Sequence, residues 1–116
     1  MFTEEDFMAG NKQFGEHIKK LREAKKLGQE QLAELIGVEY QTISRIETGY
    51  YFTSFSNLQK ISKALNVTIK DLFDFSEEEL TKNEIIQQIN NEIKTLDLKE
   101  LKALRKLISL FFENTK

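Results

Sequence analysis

The chain has 116 residues, 31% charged and 40% hydrophobic, a balance that suits one compact domain with an appendage and excludes a disordered polymer. It contains no cysteine and a single histidine, His17, which excludes disulfides, thiolate metal sites and a histidine metal cluster. The net charge of −2 is unevenly spread: residues 1–10 carry three acids and no base, residues 11–73 ten Lys and Arg against seven Asp and Glu, and residues 74–116 seven against nine, so a mildly basic middle lies between acidic flanks.

Proline is absent and only five glycines occur, so helix can run through nearly the whole chain, and an all-α fold is expected. Residues 1–10 read as an N-terminal arm or a short helix on Phe2, Phe7 and Met8. Residues 11–75 show helical apolar spacing. Phe14, Ile18 and Leu21 mark a first helix, and Leu32, Leu35 and Ile36 a second that ends at Gly37. Ile43 and Ile46 mark a short third ending at Gly49, and Leu58, Ile61 and Leu65 a fourth. Leu72 and Phe73 belong to a short fifth, opened by Thr68 with Asp71 three residues on, a capping box.

Residues 76–116 change pattern. Ser76 with Glu79 predicts a helix start, and Ile86, Ile89, Ile93 and Leu96 then repeat at 3-4-3 spacing. Asp97 with Glu100 predicts another start, followed by Leu101, Leu104, Ile108 and Phe111 at the same spacing. Two amphipathic helices with almost no loop between them predict a C-terminal helical hairpin. Leu107 and Phe112 remain beside the second seam, more apolar surface than one hairpin can cover. Residues Ile86, Ile89, Ile93, Leu101, Leu104, Leu107, Ile108, Phe111 and Phe112 are therefore expected to form a dimerisation surface.

The informative stretch is Gln29 to Gly49, QEQLAELIGVEYQTISRIETG. Two short helices flank a tight turn at Gly37-Val38; Ala33 is small where they cross, and Gly37 tolerates positive φ. With Val38 and Ile43 turned inward, Tyr40, Gln41, Ser44 and Arg45 face outward, with Thr42 at the rim. Glutamine can bond adenine, and arginine guanine, in bidentate fashion, so this helix can read a major groove. An ordinary solvated helix carries the same residue types.

Residues 14–73 resemble the phage-repressor-like helix-turn-helix family, which includes the lambdoid Cro and repressor proteins and many bacterial regulators. The matching residues are Phe14-Gly15-Glu16, Ile18-Lys19-Lys20-Leu21-Arg22, Leu27, Gln29, Leu32-Ala33, Gly37-Val38, Thr42 through Glu47, Gly49, and Leu58 through Val67. The resemblance implies a five-helix lambda-repressor-like DNA-binding domain. It places Gln29 at a phosphate and Tyr40, Gln41 and Arg45 at base edges. Thr42, Ser44 and Thr48 fall at phosphates or beside base edges, and Arg22 with Glu47 at a structural ion pair. Three departures stand out. Gly28 replaces the usual Thr or Ser cap. Glu39 opens the third helix where Ser is common, and either repels phosphate or accepts from cytosine. The loop Tyr50-Tyr51-Phe52-Thr53 lacks the usual basic residues; Phe52 is expected in the core, whereas Tyr50 and Tyr51 suit either a nucleic-acid contact or a cover on the core.

The function expected is a homodimeric regulator of transcription, a repressor, reading double-stranded DNA with residues 40–48. The alternative is a protein-interaction module, such as an antitoxin or partner-dependent regulator whose C-terminal hairpin binds another protein. No phosphate loop, nucleophile elbow or metal spacing occurs, so neither an enzyme nor a cofactor or metal is expected. No apolar run approaches the roughly 20 residues of a membrane helix. The acidic start Met1-Phe2-Thr3-Glu4-Glu5-Asp6 lacks the basic opening of a signal peptide, so a cytoplasmic protein is expected.

Overall fold

The computed structural model describes residues 3–75 and 80–112, with the side chains of all of these except 6–10 and Phe111. The described residues are all-helical: α1 (Glu4–Ala24), α2 (Gln29–Ile36), α3 (Tyr40–Glu47), α4 (Phe55–Leu65), α5 (Ile69–Leu72), α6 (Lys82–Ile93) and α7 (Leu98–Phe112). They divide into two compact units. Residues 2–76 hold α1–α5, and residues 77–116 hold α6 and α7.

The first unit is built around α1, which starts at Glu4. Residues 1–10 are expected from sequence as an arm or a short helix; residues 4–10 are helical and form the opening turns of α1, and the one glycine among them, Gly10, costs only about 1 kcal/mol in a helix. α1 ends where Lys26 takes positive φ (58°). α2 follows, with Leu32, Ala33 and Ile36 buried. Leu35, expected on that buried face, is 61% exposed; the face runs through Leu32, Ala33 and Ile36. Gly37 (φ 74°) closes α2 in the left-handed conformation, and the Val38 N–H reaches back to the Ala33 carbonyl at 3.0 Å. α3 buries Ile43 and Ile46. α4 is capped by Ser54, whose hydroxyl accepts from the Asn57 N–H at 3.1 Å, and closed by left-handed Asn66.

α5 is fixed by reciprocal bonds between Thr68 and Asp71, at 2.9 and 3.1 Å. Bonds to the Thr68 backbone N–H foremost, and then to its side chain, hold the Asp71 carboxyl below the usual carboxylate range. His17 is a structural tie: its Nε2–H donates to the Asp71 carbonyl at 2.8 Å, and its ring lies 5.5 Å from that of Phe75. Phe14 anchors an aromatic cluster, with Phe52 and Phe73 at 5.1 and 5.0 Å. Phe52, expected in the core, is a half-covered lid on Phe14.

Two glycines govern how closely the helices approach. A Cβ on Gly15 would run into the Ile46 carbonyl and stand 2.6 Å from the Glu47 oxygen, both backbone atoms. α1 can therefore lie directly on the end of α3 only without a side chain at 15. Gly49 combines positive φ with a similar approach to the Lys12 backbone.

In the second unit Thr81 opens α6, its hydroxyl accepting from the Glu84 N–H at 3.2 Å. The Ser76–Glu79 pair expected to open this region lies outside the described residues. The Asp97–Glu100 capping box opens α7 with bonds of 3.1 and 2.8 Å. Neither helix has a fully buried residue among its described side chains: Ile93, Leu96, Leu101 and Leu104 are half-buried near the joint, whereas Ile86, Ile89, Leu107, Ile108 and Phe112 are exposed, as are Ile85 and Leu110.

Gly15→Ala should lower stability by about 1–3 kcal/mol or more, because the added methyl meets rigid backbone. Gly37→Ala meets nothing within 4 Å and should cost only the left-handed strain, about 1–2 kcal/mol. Urea denaturation of both variants measures the losses; a Gly15→Ala loss below about 1 kcal/mol would contradict the tight α1–α3 approach.

Candidate nucleic-acid interface

α3 has only eight residues, too few to hold a helix alone. Its inner face is Ile43, Ile46 and Glu47, all buried, and its outer face carries Tyr40, Gln41 and Arg45, all exposed, with Thr42 and Ser44 partly covered. The outer face thus gathers an amide, a guanidinium, a phenol and two hydroxyls on one rigid surface. These groups match the donors and acceptors of base edges and phosphates.

The end of α3 is fixed by a buried ion pair. Arg22 Nε donates to Glu47 Oε2 at 2.7 Å and Arg22 Nη2 to Oε1 at 3.0 Å. Arg22 Nη1 donates to the Leu27 carbonyl at 2.7 Å. The residues are 6% and 4% exposed. The hydrogen bond to Glu47 raises the Arg22 pKa further above its ordinary value, so the guanidinium stays charged at any pH at which the protein folds.

The remaining residues singled out from sequence fall into three situations. Gln29, at the first turn of α2, donates its amide to Glu47 Oε1 at 2.9 Å; an amide NH2 has two hydrogens, so this contact uses one. Thr48 donates its hydroxyl to the Ser44 carbonyl at 2.9 Å, and donation to a phosphate requires that bond to break. Tyr50 is 80% exposed, its ring beside Arg45. Glu39 is the exposed N-cap of α3 and makes no side-chain cap bond. At α2 the missing cap side chain of Gly28 is offset by Gln31, whose Oε1 accepts from the Gly28 N–H at 2.6 Å. Gln31, and the Gln29–Glu47 contact, escape a sequence reading. The Gly28-x-x-Gln31 spacing is half a capping box and carried a signal; the Gln29–Glu47 contact joins residues 18 apart and carried none.

The arrangement of α2, turn and α3 defines a helix-turn-helix protein, and residues 18–72 match the helix-turn-helix family model. An uncharacterised HTH-type transcriptional regulator of Archaeoglobus fulgidus is 41% identical over 63 residues, which are 54% of this chain and 89% of that protein. Control protein C.BamHI of Bacillus amyloliquefaciens is 42% identical over 64 residues, 54% of this chain and 79% of that one. The crystal structure of the restriction-modification controller protein C.AhdI of Aeromonas hydrophila superposes with a TM-score of 0.55 at 35% identity, covering 56% of this chain and 98% of that one. The chain belongs to the helix-turn-helix family of XRE type and is a DNA-binding regulator of transcription. No described helix is long and apolar enough to cross a membrane.

Arg22→Ala should lower stability by about 3–5 kcal/mol, since it leaves a carboxylate buried without its partner. The double replacement Arg22→Met with Glu47→Leu should recover part of the loss, because no uncompensated charge remains. Thermal melting of both variants checks this; an Arg22→Ala protein that melts like the parent would mean the pair is solvated.

Proposed function

We propose that the protein is a sequence-specific, homodimeric repressor that reads the major groove with α3. In this reading Tyr40, Gln41 and Arg45 meet base edges. Thr42, Ser44 and Thr48 lie against phosphates or support the base contacts, and Gln29 bonds a phosphate at the start of α2, where free backbone N–H groups and the helix dipole favour an anion. The observation that carries it is the division of labour on α3: one face is buried among α1 and α2, and the other presents Tyr40, Gln41 and Arg45 to solvent. Residues 11–75 form the DNA-binding domain and 76–116 the dimerisation region. Two copies would place their α3 helices in half-sites about one helical turn, or roughly 34 Å, apart. Enrichment of bound duplexes from a random-sequence pool tests sequence specificity; a pool that yields no preferred motif would sink it.

Gln41→Ala and Arg45→Ala should each relax preference at one base pair, at a cost of about 1–3 kcal/mol per bidentate contact. Gln29→Ala should weaken binding evenly across sequences, because a phosphate contact carries no base information. Competition binding against single-base variants of the selected duplex measures both. Unchanged preference in both α3 variants would remove that helix as the reader.

The second copy is supported by the tail. Ile86, Ile89, Leu107, Ile108 and Phe112 are each 44–52% exposed, and full burial of such side chains is worth about 1.5–3 kcal/mol each. Isologous pairing of two tails covers both seams at once. Ile89→Asp with Ile108→Asp changes only exposed positions, so it should leave the helix content intact and shift the protein from dimer to monomer by light scattering. A dimer that survives both charges would place the contact elsewhere.

A further inference from the structure

Tyr50 follows α3 by three residues and suits, from sequence, either a phosphate contact or a cover on the core. Its exposure of 80% excludes the second. The geometry offers a different role. The Arg45 guanidinium lies over the Tyr50 ring, with Cζ 5.9 Å from the centroid. The same two residues are joined through the backbone, for the Tyr50 N–H donates to the Arg45 carbonyl at 2.9 Å. The turn that makes this possible is Gly49, whose φ of +77° and contact with the Lys12 backbone leave no room for a side chain. The chain is thus folded back so that an aromatic face meets the outer side of α3.

We propose that Tyr50 is a positioning residue for Arg45, acting through its ring and not its hydroxyl. An arginine on an exposed helix samples many rotamers, and docking on DNA costs the freedom it still has. A ring that already attracts the guanidinium restricts those rotamers before DNA arrives, and the restriction favours the base pair that Arg45 meets in that pose. The contact sits near the outer limit of about 6 Å for this attraction and is solvent-exposed, so its effect is modest: the exposed range corresponds to about 2–5-fold in binding. The loop after α3 has no Lys or Arg between residues 49 and 59, so the aromatic ring contributes to recognition there without adding charge. This inference rests on the reading of Arg45 as a base-contacting residue.

The test uses the full chain and a duplex selected by the wild type from a random pool, at one fixed salt concentration. The variants are Tyr50→Phe, Tyr50→Ala, Arg45→Ala and the double Tyr50→Ala with Arg45→Ala. Tyr50→Phe should bind like the wild type. Tyr50→Ala should bind about 2–5-fold more weakly and lose preference at the same base pair as Arg45→Ala. The double variant should be no worse than Arg45→Ala alone. Melting temperatures should stay unchanged, since the ring is exposed. If Tyr50→Phe loses as much as Tyr50→Ala, the hydroxyl is the contact and the proposal fails. Independent, additive losses from Tyr50→Ala and Arg45→Ala overturn it as well. An Arg45→Ala protein with wild-type affinity and preference would instead sink the recognition role of Arg45 and this inference with it, an outcome visible without any change at Tyr50.

Discussion

The Arg22–Glu47 pair is the contact on which the geometry of the first unit depends. Burying two charges is costly, and their attraction offsets the cost only when the remaining donors and acceptors are also engaged. Here they are: Arg22 donates twice to Glu47 and once to the Leu27 carbonyl, and Glu47 also accepts from Gln29. Four segments therefore meet at one carboxylate and one guanidinium: the end of α1, the turn after it, the start of α2 and the end of α3. An apolar contact of the same size would hold these elements together without specifying their angles. Charged hydrogen bonds have direction as well as strength, and so they fix where the end of α3 points.

That fixation matters because α3 is short. A helix of eight residues takes its shape from its packing, and everything that shapes it lies on one side: Ile43 and Ile46 in the core, Glu47 in the ion pair, and Gly15 letting α1 lie against its last carbonyls. The opposite face carries almost no structural duty. Its side chains are free to be chosen for what they contact rather than for packing, which suits a protein that binds DNA. The electrostatic background is weak for this task, since residues 11–73 carry only three more bases than acids. Contacts other than bulk charge therefore have to supply more of the recognition than they would beside a basic surface.

The aligned portion of this chain spans 89% of the Archaeoglobus protein and 98% of C.AhdI. α6 and α7 lie beyond the family match. The two units of the chain also differ in kind. The first closes a core of its own around Ile18, Leu32, Ile61 and Leu65, each fully buried, whereas α6 has no buried residue. A pair of helices has too little interior to cover two apolar seams, and the exposed isoleucines and leucines of α6 and α7 are the direct consequence.

Much of the first unit was legible in the sequence because its signals are local. Apolar residues three and four apart located the helices, Thr68 with Asp71 marked a helix start, as Asp97 with Glu100 did in the second unit, and Gly37 marked a turn; each depends on residues within one helical turn. The motif from Gln29 to Gly49, with its resemblance to known repressors, was enough to indicate DNA binding. What the sequence could not decide involves residues far apart in the chain or choices between adjacent faces. Leu35 lies three positions after Leu32 and fits the helical spacing, yet it is exposed while Leu32, Ala33 and Ile36 are buried. Gly15 matters because of carbonyls some 30 residues away. Gln29 meets Glu47, and Tyr50 meets Arg45, only after the chain has turned back on itself. Local hydrogen bonding and side-chain periodicity determined which helices form; tertiary packing decided which of their side chains are left exposed, because that depends on where distant backbone comes to rest.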